Sequence, residues 1–271
     1  MTKNGGDSSN TENSEFYGVN SGILVTKNST ATIKNATIST NAKGSNAVFS
    51  TEDISIENTE GTANGSQMVV IEGKNSATVT NSTLTASATG NRGDTDQAGI
   101  MIYQSMSGDA GEGTGTFTAT NSNLSIQTNS KYYKTAPMFF ITNTDAVVNL
   151  TNTNLSFGSN ILVSCKGTSE WGQSGSNGGN LTLNATNQTL TGDIEIDNIS
   201  SLTMNLTSSS SYEGTINADN SAKSISLKLD SSSKITLTGD SYVSSLDDAD
   251  SSYSNIDFNG YKLYVNDSAI N

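Results

Sequence analysis

A chain of 271 residues that is 32% hydrophobic and 6% aromatic is too poor in large apolar side chains for one compact core, yet with only 14% charged residues and one proline it is no self-repelling coil. The formal net charge of −13, with a single arginine at Arg92, excludes the clustered Lys and Arg that nucleic acid or an anionic membrane surface draws on. There is no histidine and Cys165 is the one cysteine, so a Cys/His metal site and an intrachain disulfide are both excluded.

Residues 1–15 are polar and low in complexity and read as a flexible leader lacking the basic and apolar regions of a signal peptide; an exported chain would have lost its signal before this start. No apolar run approaches the ~20 residues of a spanning helix, so no membrane insertion is expected in this segment. Residues 16–271 read as one domain of short repeated strands. Aligning the first inward residues gives Ile23, Ala47, Val69, Ile100, Phe139, Ile161, Ile194, Ile216 and Ser241, with a base spacing of 22 residues lengthened in some turns. Stacked coils of a solenoid produce this pattern, since each coil returns to the same place and is free to bulge on the way.

A second repeat lies inside the first: ATIKNATIS at 31–39, ATVTNSTLT at 77–85, FTATNSNLS at 117–125, VNLTNTNLS at 148–156 and a lengthened LTLNATNQTL at 181–190. Its alternation turns Val79, Val148, Leu150 and Leu183 inward and Thr78, Thr118, Thr151 and Thr182 outward. An asparagine follows each alternating strand, at Asn35, Asn58, Asn81, Asn121 and Asn152, where the chain must bend. Asn tolerates the left-handed conformation and its amide can bond its equivalents above and below, so an internal or corner Asn ladder is expected. Three strands per coil and about nine coils imply an all-β, parallel β-helix. At the C-terminus, residues 255–267 alternate around Asn259-Gly260, a hairpin signal and a lid for the last coil. A weaker cap at the other end suits end-to-end or tandem association.

The coil repeat, together with IYQSMSGDA (102–110), ITNTDA (141–146), WGQSGSNGG (171–179) and TGDSYVSSL (238–246), resembles a group of uncharacterised bacterial right-handed parallel β-helix proteins, pectin-lyase-like and adhesin passenger-like in architecture. The resemblance implies the right hand of the helix and a secreted or cell-surface, extracellular setting. It implies no activity.

Insertions cluster in the middle coils, at 86–99, 104–116, 130–137 and 164–180, and are expected to frame a groove. Tyr103, Tyr132, Tyr133 and Trp171 offer flat faces for sugar rings, and Asp109, Glu112 and Asn177 offer hydrogen bonds to hydroxyls. The plainer reading of Trp171 is an anchor for its own loop. Asp94, Asp96, Asp109 and Glu112 could supply oxygens to Ca²⁺, although no calcium-loop spacing is present and no other cofactor is called for. Asp193 and Asp197 are possible paired carboxylates, but no spacing selects them for catalysis. Val163 and Cys165 share parity, which turns the thiol into the core. The expectation is a non-catalytic, adhesin-like module that binds glycan or another surface macromolecule through its middle-coil loops, or serves as a rigid stalk. The alternatives are a polysaccharide hydrolase or lyase and, through outward residues such as Thr83, Thr85, Asn123 and Ser125, an ice-binding protein.

Overall fold

The computed structural model describes residues 1–3, 17–90, 97–106, 108 and 110–271, and every regular element among them is a strand. The strands wind as a parallel β-helix with three strands in a full coil. The second strands form the longest face, nine parallel strands from Thr30–Lys34 to Ser245–Asp248, which sets the number of coils. Alternation builds this face: in Asp145–Thr151, Ala146, Val148 and Leu150 are buried while Val147, Asn149 and Thr151 stay half-buried on the outside. Parallel register then places like on like, pairing Leu181 with Leu202, Asn184 with Asn205 and Thr186 with Thr207.

The first strands pair through seven coils, from Ile23–Val25 to Asp193–Ile196. Their register differs from the sequence reading in two places: Val48, not Ala47, pairs with Ile23, and Val163, not Ile161, with Phe139. These strands do not alternate. Val69–Glu72, Ile100–Tyr103 and Phe139–Thr142 are buried at every position, because the inner face packs in the helix core and the outer face is covered by loops.

The third strands form two sheets. Six run from Thr2–Lys3 to Asn154–Ser156 and four from Thr189–Thr191 to Ile256–Asp257, with no pairing between Asn154–Ser156 and Thr189–Thr191. Thr2–Lys3, read as part of a flexible leader, pairs in parallel with Thr37–Thr40; residues 4–16 lie outside the described residues.

The corner asparagines adopt the expected left-handed conformation, with φ from 46 to 53° at Asn35, Asn58, Asn81, Asn121 and Asn152. Their side chains are exposed, and one rung joins Asn152 Nδ2 to Asn121 Oδ1 at 2.8 Å. The buried ladder sits one residue later. Ser82 Oγ accepts from the Thr59 N–H at 3.0 Å and donates to the Thr80 carbonyl at 2.7 Å; Ser122 Oγ accepts from the Ser82 N–H at 3.1 Å and donates to Thr120 at 2.8 Å. Each hydroxyl thus satisfies two backbone groups that the bend has removed from the regular ladder.

The cap at the C-terminus is a hairpin one turn beyond the expected position. Asn259 and Gly260 make a corner between Ile256–Asp257 and Leu263–Val265, both of which pair in parallel with the preceding coil. The antiparallel reversal is at Asn266 and Asp267, which return Ser268–Ala269 onto Leu263–Val265. Both signals are Asn-led turns; the second is chosen because the coil still has a partner strand after the first.

Replacing Ser122 by alanine leaves the buried Ser82 N–H without its acceptor, and a loss of about 1–3 kcal/mol is expected from the shift of the urea midpoint. The outward, half-buried Thr182→Ala should stay within about 0.5 kcal/mol. Equal shifts for the two variants would reject the hydroxyl ladder as a source of stability.

Candidate functional site

The outer face of the first sheet decides what the loops can do. Phe49, Val70, Met101 and Phe140 stack in one outward column by register, and with Ala98, Tyr103 and Trp171 they form a second buried apolar cluster outside the helix. Trp171 is 1% exposed and meets Tyr103 edge-on, with ring centroids 4.7 Å apart. Asn177, also buried, donates from Nδ2 to the carbonyls of Thr168 and Trp171 at 2.6 and 2.5 Å, while Thr168 Oγ1 accepts from the Trp171 N–H at 3.2 Å. Tyr103, Trp171 and Asn177, offered by the sequence as ligand contacts, are buried and present no open face: they fasten the 166–179 loop to the sheet, which is the plainer reading of Trp171. Strands that are apolar at both parities demand such a cover.

Tyr132 and Tyr133 are half-buried against the core, with Lys131 Nζ 4.7 Å above the first ring and Lys134 Nζ 5.3 Å above the second. A Cβ at Gly158 would fall 2.2 Å from the Tyr133 ring, so that ring is packed on backbone and is no open platform. Asp94, Asp96 and Asp109 lie outside the described residues. Glu112 is exposed. Among the described residues no group of three or more side chains is placed to hold a metal ion. Cys165 is fully buried, and burial, with the Asp197 charge second, pushes its thiol up to about 12.

The middle-coil excursions do frame a groove, of about 580 Å³, at the corner between first and second strands. Three successive coils supply its side chains: Gln104 and Glu112, then Asn143 and Asp145, then Ser176 and Asn180. Asn143 is left-handed at φ 54°, donates its N–H to the Asn177 carbonyl at 2.9 Å, and donates from Nδ2 to the Gln104 carbonyl at 2.8 Å. Gly172, at φ 71°, passes so close that a Cβ there would come within 2.2 Å of Asn143 Oδ1. Asn180 Nδ2 donates to Asp145 Oδ1 at 2.7 Å and Asn180 Oδ1 accepts from Ser201 Oγ at 2.7 Å. The groove is thus a fixed row of amides and carboxylates. Of the residues that line it, sequence reasoning selected Glu112 alone. Asn143 and Asn180 were hidden among many equivalent asparagines, and only the loop lengths on either side marked their coil.

A second, smaller groove of about 410 Å³ lies where the loop cover ends. The outward column that carries Phe140 and Ser164 continues to Glu195, with Asp193 at the start of the same strand, Asp197 just past its end, and Asp219 and Lys166 nearby. Glu195 is exposed on its strand, yet the surrounding groove desolvates its carboxyl enough to raise it above the ordinary carboxylate range; Lys166 opposes the rise, and Asp193 and Asp219 add to it. Asp193 accepts from Asn160 Nδ2 and the Thr215 N–H, both at 2.9 Å, and Asp197 from the Gly167 N–H at 2.9 Å and the Ile199 N–H at 3.3 Å, so these two carboxylates also brace the corners. Glu72, fully buried and bonded by Ser105 Oγ, is a further carboxylate that strand alternation did not reveal. The outward hydroxyls of the third strands form no unbroken face, since their sheet is interrupted between Ser156 and Thr189.

No family model, no curated protein and no solved structure matches this chain.

Trp171→Ala removes the anchor of the loop cover and should cost about 3–5 kcal/mol, read from denaturant unfolding. The 166–179 loop should become the first site of limited proteolysis. An unchanged midpoint with unchanged cleavage would show that Trp171 does not anchor its loop.

Proposed function

We propose that this chain is a non-catalytic, adhesin-like β-helix module of the extracellular space or cell surface that binds glycan through the middle-coil groove. The observation that carries the reading is the convergence of Gln104, Glu112, Asn143, Asp145, Ser176 and Asn180 from three consecutive coils on one groove of about 580 Å³. Sugar hydroxyls both donate and accept, which suits a row of amides and carboxylates held by inter-coil bonds. With Tyr103 and Trp171 buried, recognition rests on hydrogen bonding and not on ring stacking. The net charge of −13 favours neutral over acidic polysaccharides. The bacterial surface setting follows the resemblance of the repeat.

Affinity electrophoresis against a panel of neutral polysaccharides should retard the wild type. Glu112→Ala combined with Ser176→Ala, both at exposed positions, should weaken binding at least about tenfold, or 1.4 kcal/mol. Absence of retardation on every polysaccharide would remove glycan recognition and leave the rigid stalk.

The second reading, a glycoside hydrolase, is favoured by one observation: Glu195 and Asp193 stand two residues apart on one strand face and line the groove of about 410 Å³, where desolvation raises the Glu195 carboxyl above its ordinary range. The strand rise sets their Cα atoms about 6.7 Å apart, a spacing from which the side chains can bring their carboxyls to the roughly 6.5–9.5 Å of an inverting acid and base pair. Glu195 would donate to the leaving oxygen and Asp193 would accept a proton from the attacking water. Reducing-sugar release, lost by more than about a hundredfold in Glu195→Gln, is the expected result of this reading; a wild type that releases none removes it.

A further inference from the structure

The third face of the helix is split between two successive coils. Its inward residues stack as Ile38, Gly61, Leu84, Leu124 and Leu155, and then, after the interruption, as Leu190, Tyr212, Ile235 and Ile256. The two coils on either side of the interruption are paired directly elsewhere: Thr151 with Thr186 on the second face, Ile161 with Asp193 on the first. Only between Asn154–Ser156 and Thr189–Thr191 do they part, around a cleft of about 690 Å³ whose lining carries no charged side chain. Leu84, Leu124 and Leu190 are fully buried, whereas Leu155 is left half-buried in the cleft with Phe157 beside it.

The walls of this cleft are strand edges with a defined phase. In a parallel ladder the N–H and C=O of one residue face the same neighbour, and those of the next residue face the other. The Asn154 N–H donates backward to Ser122 at 2.8 Å, so the N–H and C=O of Leu155 face forward into the cleft. Beyond it, the Ser211 N–H donates backward to Gln188 at 2.8 Å, which is the phase that turns the backbone groups of Thr189 and Thr191 back into the cleft. One amide already occupies the slot. At its closed end Gln188 takes the place held by serine or threonine in the preceding coils: Oε1 accepts from the Thr153 N–H at 2.8 Å, and Nε2 donates to the Thr153 and Thr189 carbonyls at 2.6 and 2.8 Å. The side chain does what a peptide unit of an intervening strand would do.

We propose that this cleft receives an extended segment of a partner polypeptide as an inserted parallel strand, with a leucine or isoleucine seated between Leu155 and Leu190 and hydroxyl residues on either side facing out. Backbone groups on both walls repeat every second residue, about 6.7 Å, which is the period of an extended peptide. The uncharged lining selects a neutral segment, of the Thr-Leu-Thr type that the chain itself uses at Thr83–Thr85. The site is separate from the middle-coil groove and does not depend on glycan binding there.

The test is fluorescence anisotropy of the full chain with a labelled, capped peptide centred on Thr-Leu-Thr, beside the same peptide N-methylated at the leucine and one with aspartate in its place. The unmodified peptide should saturate, and both altered peptides should bind at least about tenfold more weakly. Leu155→Arg should abolish binding. Thr191→Pro removes one cleft-facing N–H while leaving the pairing with Ser211–Gly214 intact, and should weaken binding about tenfold with the circular dichroism melt as the check on folding. No saturation at millimolar peptide, equal binding of the N-methylated peptide, or unchanged binding by a folded Thr191→Pro variant would overturn the proposal. So would light scattering that shows the chain alone forming a dimer broken by Leu155→Arg, which would make a second copy the occupant.

Discussion

Hydrogen bonding between successive coils is the constraint from which the rest of this molecule follows. A parallel strand must find partners on both sides, so each coil has to repeat the path of the one before it, in register and at one strand spacing. Register places chemically equivalent residues in columns, and a column tolerates a polar residue only when its neighbours answer it. The half-buried run from Thr118 through Asn149 and Asn184 to Asn205 meets that demand, each amide donating to the oxygen of the coil before it at 2.7–3.1 Å. The Ser and Thr hydroxyls at the second corner meet it inside the core. A composition rich in Asn, Thr and Ser is therefore no accident of a polar exterior: these side chains are the lateral bonds of the stack.

The same constraint leaves the three faces unequal. The second face is regular and solvated on the outside. The first face is apolar on both sides and has to be covered, and the length of chain that covers it is also the length that frames the middle-coil groove. Trp171 and Tyr103 supply the adhesion, while Asn143, Asp145 and Asn180, which belong to the coils themselves, supply the floor. Rigidity under a loop and polarity beside it come from one arrangement, so the groove is preorganised by the burial of the residues that looked most suited to touch a ligand.

What could be read from the sequence was what repeats. The period, the alternation of the second strands and the left-handed asparagines are properties of single residues or of short windows, and they fix the coil. The continuous apolar triplets at 69–71, 100–102 and 139–141 also announced a face buried on both sides, which agrees with the plainer reading of Trp171 as an anchor for its own loop. The buried hydroxyl ladder was less visible because Ser and Thr are common everywhere in this chain; only their place one residue past each corner sets them apart. Glu72 and Glu195 share parity with residues on the outside of their sheet, and it is the loop above the first that buries it, whereas the second stays exposed where the cover ends. Neither is a property of the local sequence.

The interruption of the third face has a cause in chain length. Nine residues, 152–160, connect Thr151 to Ile161, whereas six, 187–192, connect Thr186 to Asp193 in the next coil. A surplus that is not looped outward has to be taken up within the coil itself. The surplus is absorbed partly as the register shift between Ile161 and Val163 and partly by parting the third strands. Where they part, the corner hydroxyl is too short to reach the neighbouring backbone, and Gln188 stands in its place, its longer side chain spanning the opening with three hydrogen bonds. That substitution separates a built opening from a fault in the stack. A fault would leave the Thr153 N–H and carbonyl unmatched at its apex, at a cost of about 1–3 kcal/mol for each buried group. Here both are satisfied, so the split is closed at one end, and the strand edges beyond it are held apart by covalent length and not by strain.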